Sequence, residues 1–214
     1  MAWPKRLIGM NVSKFIIEKL NLAIEREGQA SLVVSGGTSP ISIYEELSKA
    51  DISWSKVFLT LVDDRLVEPN HEDSNQNLLY KHLIKNKAKV IKFFPLDDKV
   101  RFNKDFKKPF DITLLGMGED GHFASLFPNM INLPEAFSLK ATPKVLKTDA
   151  LGSPLHPRIT MNLSMIMESS FIILLVKGKL KQDVLDKANM NSDYPIHYLI
   201  KNRNKKILIK KIND

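Results

Sequence analysis

The sequence predicts an α/β fold with a mostly parallel, Rossmann-like sheet and helices on both faces. Three observations favour this class. Short apolar segments of strand length alternate with longer segments of helical periodicity, which is typical of βαβ units. Residues 171–176 are apolar without interruption, as expected of a central strand covered on both sides. No shift in composition marks a boundary, so we expect residues 1–214 to form a single domain.

Periodicity and capping signals define the elements of the first half. Apolar residues at helical spacing predict a helix at 13–27. Pro40 suits the first position of a helix, where its missing N–H costs nothing, so Ser39 is predicted to cap a helix that continues through Leu47. The remaining elements are, in order, a strand at 30–34, a strand at 56–62, a helix at 75–84 that Ser74 or Asn75 caps, and a strand at 89–94.

The second half contains the least regular part of the chain. Residues 97–109 are polar and rich in lysine, and we expect a surface connection there. Residues 129–157 include four prolines, and we expect them to pass over the functional site. Around these segments the sequence predicts strands at 110–115 and 171–176, a helix at 179–188 and a final strand at 206–212.

Composition excludes several classes of site. The chain has 214 residues, of which 43% are hydrophobic, enough for a core. It has no cysteine, which excludes a disulfide framework, a thiolate metal site and a cysteine nucleophile. Its N-terminus lacks the apolar region of a secretory signal, and no apolar run reaches the ~18–20 residues that span a bilayer. We therefore expect a soluble cytoplasmic protein with no membrane partner.

The net charge of +8 indicates an anionic partner. The densest basic run, 201–211, alternates with isoleucine and leucine, which is typical of a strand rather than of an arm that follows a phosphate backbone. We therefore expect a small anionic molecule as the partner and no nucleic acid. The sequence does not fix the oligomeric state, and our working expectation is a monomer or a weak homo-oligomer.

The segment 116–128 carries the strongest chemical signal. It places three glycines, two acids and His122 directly after the strand predicted at 110–115, and ligands of open α/β sheets bind at the carboxyl ends of strands. A histidine can take a proton from water near neutral pH, and Asp120, two residues earlier, could fix its tautomer. The alternative is a glycine-rich turn with an incidental histidine. Ser125 is not in a nucleophile elbow, and the other histidines show no metal-ligand spacing.

A second glycine loop, Ser35-Gly36-Gly37-Thr38, follows the strand at 30–34 and leads into a helix. Glycines let backbone N–H groups approach an anion, and a helix N-terminus adds partial positive charge. This loop therefore predicts a phosphate cradle, although it matches neither the Walker nor the dinucleotide pattern. The alternative is an ordinary tight turn between a strand and a helix.

A third loop begins after the strand at 56–62 with Asp63-Asp64-Arg65. The planar guanidinium of Arg65 suits a phosphate or a carboxylate, and we expect the two acids beside it to hold it in place. The alternative is a solvated charged loop whose end only caps the next helix.

Taken together, these three loops resemble 6-phosphogluconolactonase, within the superfamily of glucosamine- and galactosamine-6-phosphate isomerases. The resemblance extends to Pro157-Arg158-Ile159-Thr160 and to Val176-Lys177-Gly178 with Lys181 behind it, and it covers the chain from about residue 10 to the last strand. The string from Gly121 to Pro128 is specific, whereas sugar-phosphate isomerases share the Ser-Gly-Gly-Thr loop. The resemblance implies a sugar-phosphate isomerase-like fold and hydrolysis of 6-phospho-D-glucono-1,5-lactone in the pentose phosphate pathway, without metal or cofactor.

The resemblance also implies roles for individual residues. His122 matches the general base and Asp120 the acid beside it. The positions that match substrate and phosphate binding are Ser35, Gly36, Gly37, Thr38, Asp63, Arg65, Gly118, Arg158 and Lys181.

The sequence departs from the family pattern at several positions. Phe123 replaces the usual threonine and could reshape the floor of the pocket, Asp64 is one methylene shorter than the usual glutamate, and the Lys-Pro-Pro before Arg158 is absent. One alternative function is a glucosamine-6-phosphate deaminase/isomerase, but that relative carries an acid where Phe127 stands and a tyrosine at Arg65. Another alternative is a non-catalytic sugar-phosphate or nucleic-acid binding protein, which the presence of both His122 and Asp120 disfavours.

Overall fold

The computed structural model describes residues 5–6, 11–97, 106, 108–202 and 206–213. Its main sheet has seven strands, in the order β1-β10-β9-β6-β2-β3-β5, and all neighbouring strands are parallel. The sheet confirms the predicted α/β class. Its strands are β1 (Lys5–Arg6), β2 (Ala30–Val34), β3 (Val57–Leu61), β5 (Lys92–Phe94), β6 (Phe110–Leu115), β9 (Ser169–Lys177) and β10 (Lys206–Ile212).

Helices flank this sheet on both faces. Every residue of β2 and of β6 is buried, and since alternate side chains of a strand point to opposite faces, both faces must be covered. Helix α1 packs against β2 and β6, and α6 packs against β9. The helices are α1 (Val12–Glu27), α2 (Ile41–Lys49), α3 (Asn75–His82), α4 (Pro134–Phe137), α5 (Leu163–Ile166), α6 (Lys179–Ala188) and α7 (Pro195–Ile200).

The strand order reverses between β2 and β6. From β2 the chain moves to β3 and β5 on one side, and β6 then returns to the other side of β2 and leads on to β9 and β10. A crevice forms at such a switch point outside the carboxyl ends of the strands, and it is the usual ligand site of these sheets. The loops after β2 and β6 are the ones that the sequence singles out for phosphate binding and for the histidine.

A second sheet was not predicted. Three antiparallel strands, β4 (Asp63–Arg65), β8 (His156–Met161) and β7 (Val145–Leu151), pair in the order β4-β8-β7. Part of the irregular segment 129–157 is therefore a hairpin. Strand β4 continues from β3 after Val62, so the charged loop that begins at Asp63 enters this sheet at once.

The predicted boundaries fail at a few helix and strand ends. Ser39 does not cap α2, because Pro40 itself is the N-cap residue and no side chain caps this N-terminus. The strand predicted from residue 89 begins only at Lys92, since Asn86–Val90 form a short 3₁₀ helix. Ser74, one of the two predicted caps of α3, accepts from the Asn77 N–H. Most of the surface connection predicted at 97–109 lies outside the described residues.

Candidate active site

A cavity of about 330 Å³ opens at the switch point. It is bounded by the loops after β2 and β6, by the start of the second sheet and by the first turn of α6. All of the residues predicted for the site line this cavity except Asp120, which lies behind His122. They are Ser35, Gly36, Gly37, Thr38, Asp63, Arg65, Gly118, His122, Arg158 and Lys181.

The loop after β2 lines the cavity, and contacts with neighbouring residues fix its conformation. Tyr44 of α2 donates a hydrogen bond of 2.5 Å from its hydroxyl to the Ser35 carbonyl, and burial raises the pKa of Tyr44, so the hydroxyl keeps its proton. Gly37 has a φ of +80°, a conformation that favours glycine. At Gly36 a Cβ atom would lie 1.7 Å from Oδ1 of Asn75, so only glycine fits against that amide. These contacts explain why two glycines stand here.

Two arginines lie side by side on neighbouring strands of the second sheet. Arg65 of β4 and Arg158 of β8 are directly opposite in the antiparallel register, and both line the cavity. Like charges in this position destabilise a sheet unless an anion balances them. Burial and the charge of Arg65 lower the pKa of Arg158, which is only 4% exposed. The arrangement is suited to a phosphate, whose oxygens two guanidinium groups can share.

The two acids next to Arg65 do not hold its guanidinium, contrary to the expectation from the sequence. Asp64 accepts hydrogen bonds from the backbone N–H groups of Arg65, Asn75 and Gln76, and so anchors the start of α3. The guanidinium donates from Nη1 to the Asp73 carbonyl at 2.5 Å.

A histidine and a carboxylate fix the loop that holds this guanidinium. The Asp73 carboxylate pairs with Nε2 of His156 on β8 at 2.8 Å, and this hydrogen bond outweighs partial desolvation, so the pKa of Asp73 is lowered. His156 stands in the segment where the family pattern is absent. It ties the loop of Arg65 to the strand of Arg158, so the two guanidinium groups keep their spacing.

Asp63 is a buried carboxyl on the wall of the cavity. Its Oδ2 accepts a hydrogen bond of 2.6 Å from the Ser125 hydroxyl. Burial raises the pKa of Asp63, although that hydrogen bond and the charges of Arg65, Arg158 and His122 act in the opposite direction. Ser125 therefore has a structural partner, consistent with its exclusion as a nucleophile.

The imidazole of His122 is held by a carboxylate of its own loop. Nδ1 lies 2.5 Å from Oδ1 of Asp120, and the same carboxylate oxygen accepts from the His122 backbone N–H at 3.1 Å. Burial alone would raise the pKa of Asp120, but the hydrogen bond and charge of His122 outweigh it, so that pKa is lowered. An ionised Asp120 requires the proton on Nδ1, which leaves Nε2 as the acceptor.

Gly118 provides the space for this ring. A Cβ atom at Gly118 would lie 2.2 Å from both Cε1 and Nδ1 of His122 and 2.7 Å from Oδ1 of Asp120. By contrast, Phe123, the residue that departs from the family pattern, is fully buried and packs edge-on against Phe137. It therefore does not form the floor of the cavity, which Ala124 and His122 line instead.

Sequence reasoning missed several residues of the cavity wall. Asn75 was considered only as a helix cap, but its Nδ2 donates to the Asp63 carbonyl and its Oδ1 is buried without a hydrogen-bond partner in the part of the chain that the structure describes. Ser153 reaches the cavity from the β7–β8 turn. These segments come together only because β4 pairs with β8, and no local sequence pattern predicts that pairing.

Comparison with known proteins identifies consistent relatives. The family model described as glucosamine-6-phosphate isomerases/6-phosphogluconolactonase matches residues 5–209. A 6-phosphogluconolactonase of Neisseria meningitidis is 34% identical over 200 residues, which cover 86% of each chain. One of Pseudomonas putida is 36% identical over 189 residues, covering 83% of this chain and 77% of the other. The crystal structure of a 6-phosphogluconolactonase from Shewanella baltica superposes with a TM-score of 0.84 at 31% identity, covering 95% and 91% of the two chains.

The described residues contain neither a cluster of metal ligands nor a membrane-spanning helix. No three metal-ligating side chains come together among them. None of the helices they form is long and apolar enough to cross a membrane.

Proposed function

The chain belongs to the family of glucosamine-6-phosphate isomerases and 6-phosphogluconolactonases, and we propose from this premise that it is a carboxylic-ester hydrolase acting on 6-phospho-D-glucono-1,5-lactone. The product is 6-phospho-D-gluconate, formed in the oxidative pentose phosphate pathway. Relatives more than 30% identical over most of their length carry this activity in their names, which supports the substrate. We also propose that residues 1–214 form one domain and that the protein is cytoplasmic.

The opposed pair of Arg65 and Arg158 is the observation that carries the proposal, because it sets two guanidinium groups on the wall of one cavity, where they suit an anion. We assign the phosphate of the substrate to these two guanidinium groups, with Lys181 and the loop Ser35–Thr38 completing its surroundings. A bound phosphate also fixes the remote end of the sugar, so that its binding energy orients the reacting carbonyl.

In the same cavity, His122 acts as the general base. Nε2 takes a proton from a water molecule as the water oxygen adds to the lactone carbonyl carbon, which forms a tetrahedral intermediate. The bond between that carbon and the ring oxygen then breaks, and the imidazolium returns the proton to the leaving oxygen. Asp120 holds the ring and stabilises its charged form. A lactone is an activated ester, so help of about 10²–10⁴-fold from a positioned base suffices.

The phenylalanine at position 127 disfavours deaminase chemistry in this chain. A phenylalanine offers no proton to a substrate, and this side chain packs against the ring of His122. Among the functions considered from the sequence, lactone hydrolysis is the one that uses the residues in the cavity without requiring further acids or bases.

A coupled assay tests the proposal. Glucose-6-phosphate dehydrogenase generates the lactone in situ, and excess 6-phosphogluconate dehydrogenase reports the hydrolysed product. The protein should raise the rate of the second step well above spontaneous hydrolysis, and His122→Asn should abolish most of that gain. A rate equal to the spontaneous one would refute lactonase activity, and glucosamine 6-phosphate would then be the next substrate to test.

A further inference from the structure

Phe127 contacts both His122 and Arg158, although it does not itself line the cavity. It follows the histidine loop, immediately before the short 3₁₀ helix Pro128–Met130, and its side chain is buried. Neither the sequence pattern nor the comparisons give this side chain a catalytic role, but its contacts indicate one.

The first contact is with the imidazole of His122. The centroids of the two rings are 4.5 Å apart and the ring planes are inclined by 32°, so the imidazole packs on the phenyl ring in a tilted arrangement. Asp120 holds Nδ1 and Gly118 adjoins the Nδ1–Cε1 edge, but neither contact fixes the tilt of the ring about the hydrogen bond. The flat surface of Phe127 supplies that constraint and leaves Nε2 available.

The second contact is with the guanidinium of Arg158. Its Cζ atom lies 5.4 Å from the centre of the Phe127 ring, within the range of a cation–π interaction. The same guanidinium donates from Nε to the Leu151 carbonyl at 2.8 Å and from Nη2 to the Pro154 carbonyl at 2.9 Å. Two hydrogen bonds to the β7–β8 turn therefore hold Arg158 even without the phenyl ring.

The β7–β8 turn closes tightly over this pair. A Cβ atom at Gly152 would lie 2.8 Å from Cζ of Phe127 and 2.9 Å from Nη2 of Arg158. Only a glycine at position 152 therefore leaves room for the tip of the phenyl ring and for the guanidinium beside it. The turn packs closely on this side of Phe127, which supports the position of its ring.

We propose that Phe127 is a positioning residue that sets the tilt of the His122 ring for proton transfer. The proposal rests on the proposed lactonase function for its kinetic part only. Because Arg158 has its own hydrogen bonds to the turn, the loss of Phe127 should affect the catalytic step more than substrate binding. A misplacement of about 1 Å in a catalytic group can cost up to about 10²-fold in rate, and a ring that loses one of its supports should lose about tenfold.

The test compares Phe127→Leu with a matched control, Phe137→Leu. Both phenylalanines are 5% exposed, and both pack close to the histidine loop, but the ring of Phe137 meets Phe123 and Tyr198 rather than His122. Each variant removes a buried aromatic ring, so each should lower stability. In the coupled lactone assay, Phe127→Leu should lower kcat about tenfold with KM raised less than about threefold, whereas Phe137→Leu should leave kcat close to that of the unchanged protein.

A measurement on the ring itself makes the test independent of activity. The chain has five histidines, whose imidazole signals should be resolved in NMR spectra, and His122→Asn should identify the signal of His122. In the unchanged protein, cross-relaxation between the ring protons of His122 and Phe127 should be seen, and Phe127→Leu should shift the His122 signal while Phe137→Leu should not.

The outcomes separate this proposal from the proposed function. Missing cross-relaxation overturns the contact whatever the activity, and this readout needs no variant of Phe127 to fold. A kcat for Phe127→Leu equal to that of Phe137→Leu, or a loss that falls on KM, overturns the positioning role. If the protein has no lactonase activity while the NMR contact is present, the proposed function fails and the contact stands. If Phe127→Leu does not fold, Phe127→Met takes its place in the test, because methionine is apolar, unbranched and flexible.

Discussion

Substitution of Gly118 by alanine should inactivate the enzyme while leaving its fold intact. The added Cβ atom would lie 2.2 Å from Cε1 and Nδ1 of His122, whereas ordinary contacts of this kind begin at 3.4 Å. The ring must therefore move by at least about 1 Å. Such a shift takes Nδ1 away from its 2.5 Å contact with Asp120, so the ring loses both its place and its partner.

The magnitude follows from this displacement. A 1 Å error in the position of a catalytic group can cost about 10²-fold, so kcat should fall about 10²-fold, and KM should change less because the displaced ring acts in the chemical step. Stability should fall by about 1 kcal/mol, the typical cost of a point substitution, which leaves the protein folded. The His122 side chain is 30% exposed and can swing outwards, and the backbone at Gly118 is not in the left-handed region.

The assay is the coupled lactone assay together with urea unfolding, and Gly116→Ala is the matched control. Gly116 also lines the cavity, but the nearest atom to an added Cβ there is Oγ of Ser35 at 3.9 Å, an ordinary contact that displaces no catalytic side chain, so this variant should retain its kcat. If Gly118→Ala is folded and its kcat lies within about threefold of the control, the placement of the His122 ring does not limit the reaction and the reasoning is refuted.

Three further predictions concern charged side chains. Arg65→Ala should raise KM at least about tenfold with a smaller effect on kcat, since it removes phosphate binding common to ground and transition states; an unchanged KM for the phosphorylated lactone would contradict that role. Asp120→Asn should lower kcat about 10²-fold at unchanged KM, because the amide neither selects the tautomer of His122 nor stabilises its charged form; kcat and KM from the coupled assay decide. Burial raises the pKa of Asp63 above its ordinary value of 3.8. The folded protein therefore binds this proton at a higher pH than the unfolded chain does. As a result, the contribution of Asp63 to the free energy of unfolding rises as the pH falls from the raised pKa to 3.8. Urea unfolding at pH 7 and at about pH 4.5 should therefore show Asp63→Asn losing more stability on acidification than the unchanged protein, and equal losses would contradict the assignment.

The main sheet was accessible from the sequence because its signals are local. The apolar run from Phe110 to Leu115 needs no partner to be recognised as a strand, and the glycine loop after Val34 follows a strand of the same kind. Since ligands bind at the carboxyl ends of parallel strands, these two loops could be assigned to one site without knowledge of the strand order.

The second sheet was not accessible, because its pattern has no local signature. Strand β4 consists of Asp63, Asp64 and Arg65, which have a low preference for strands, and it forms only because β8 pairs with it. The same long-range pairing sets Arg65 opposite Arg158. The family resemblance implied that both arginines bind the substrate, but the sequence held no information on their register or on the role of Asp64 at the start of α3.

The register of the two arginines has a consequence for turnover. The phosphate group is the same in the lactone and in the hydrolysed acid, so a site built from Arg65 and Arg158 holds product as firmly as substrate at that end. In the proposed reaction, opening the ring adds a carboxylate to a cavity whose wall carries the buried acid Asp63. Discrimination between substrate and product must then come from this new carboxylate and not from the phosphate.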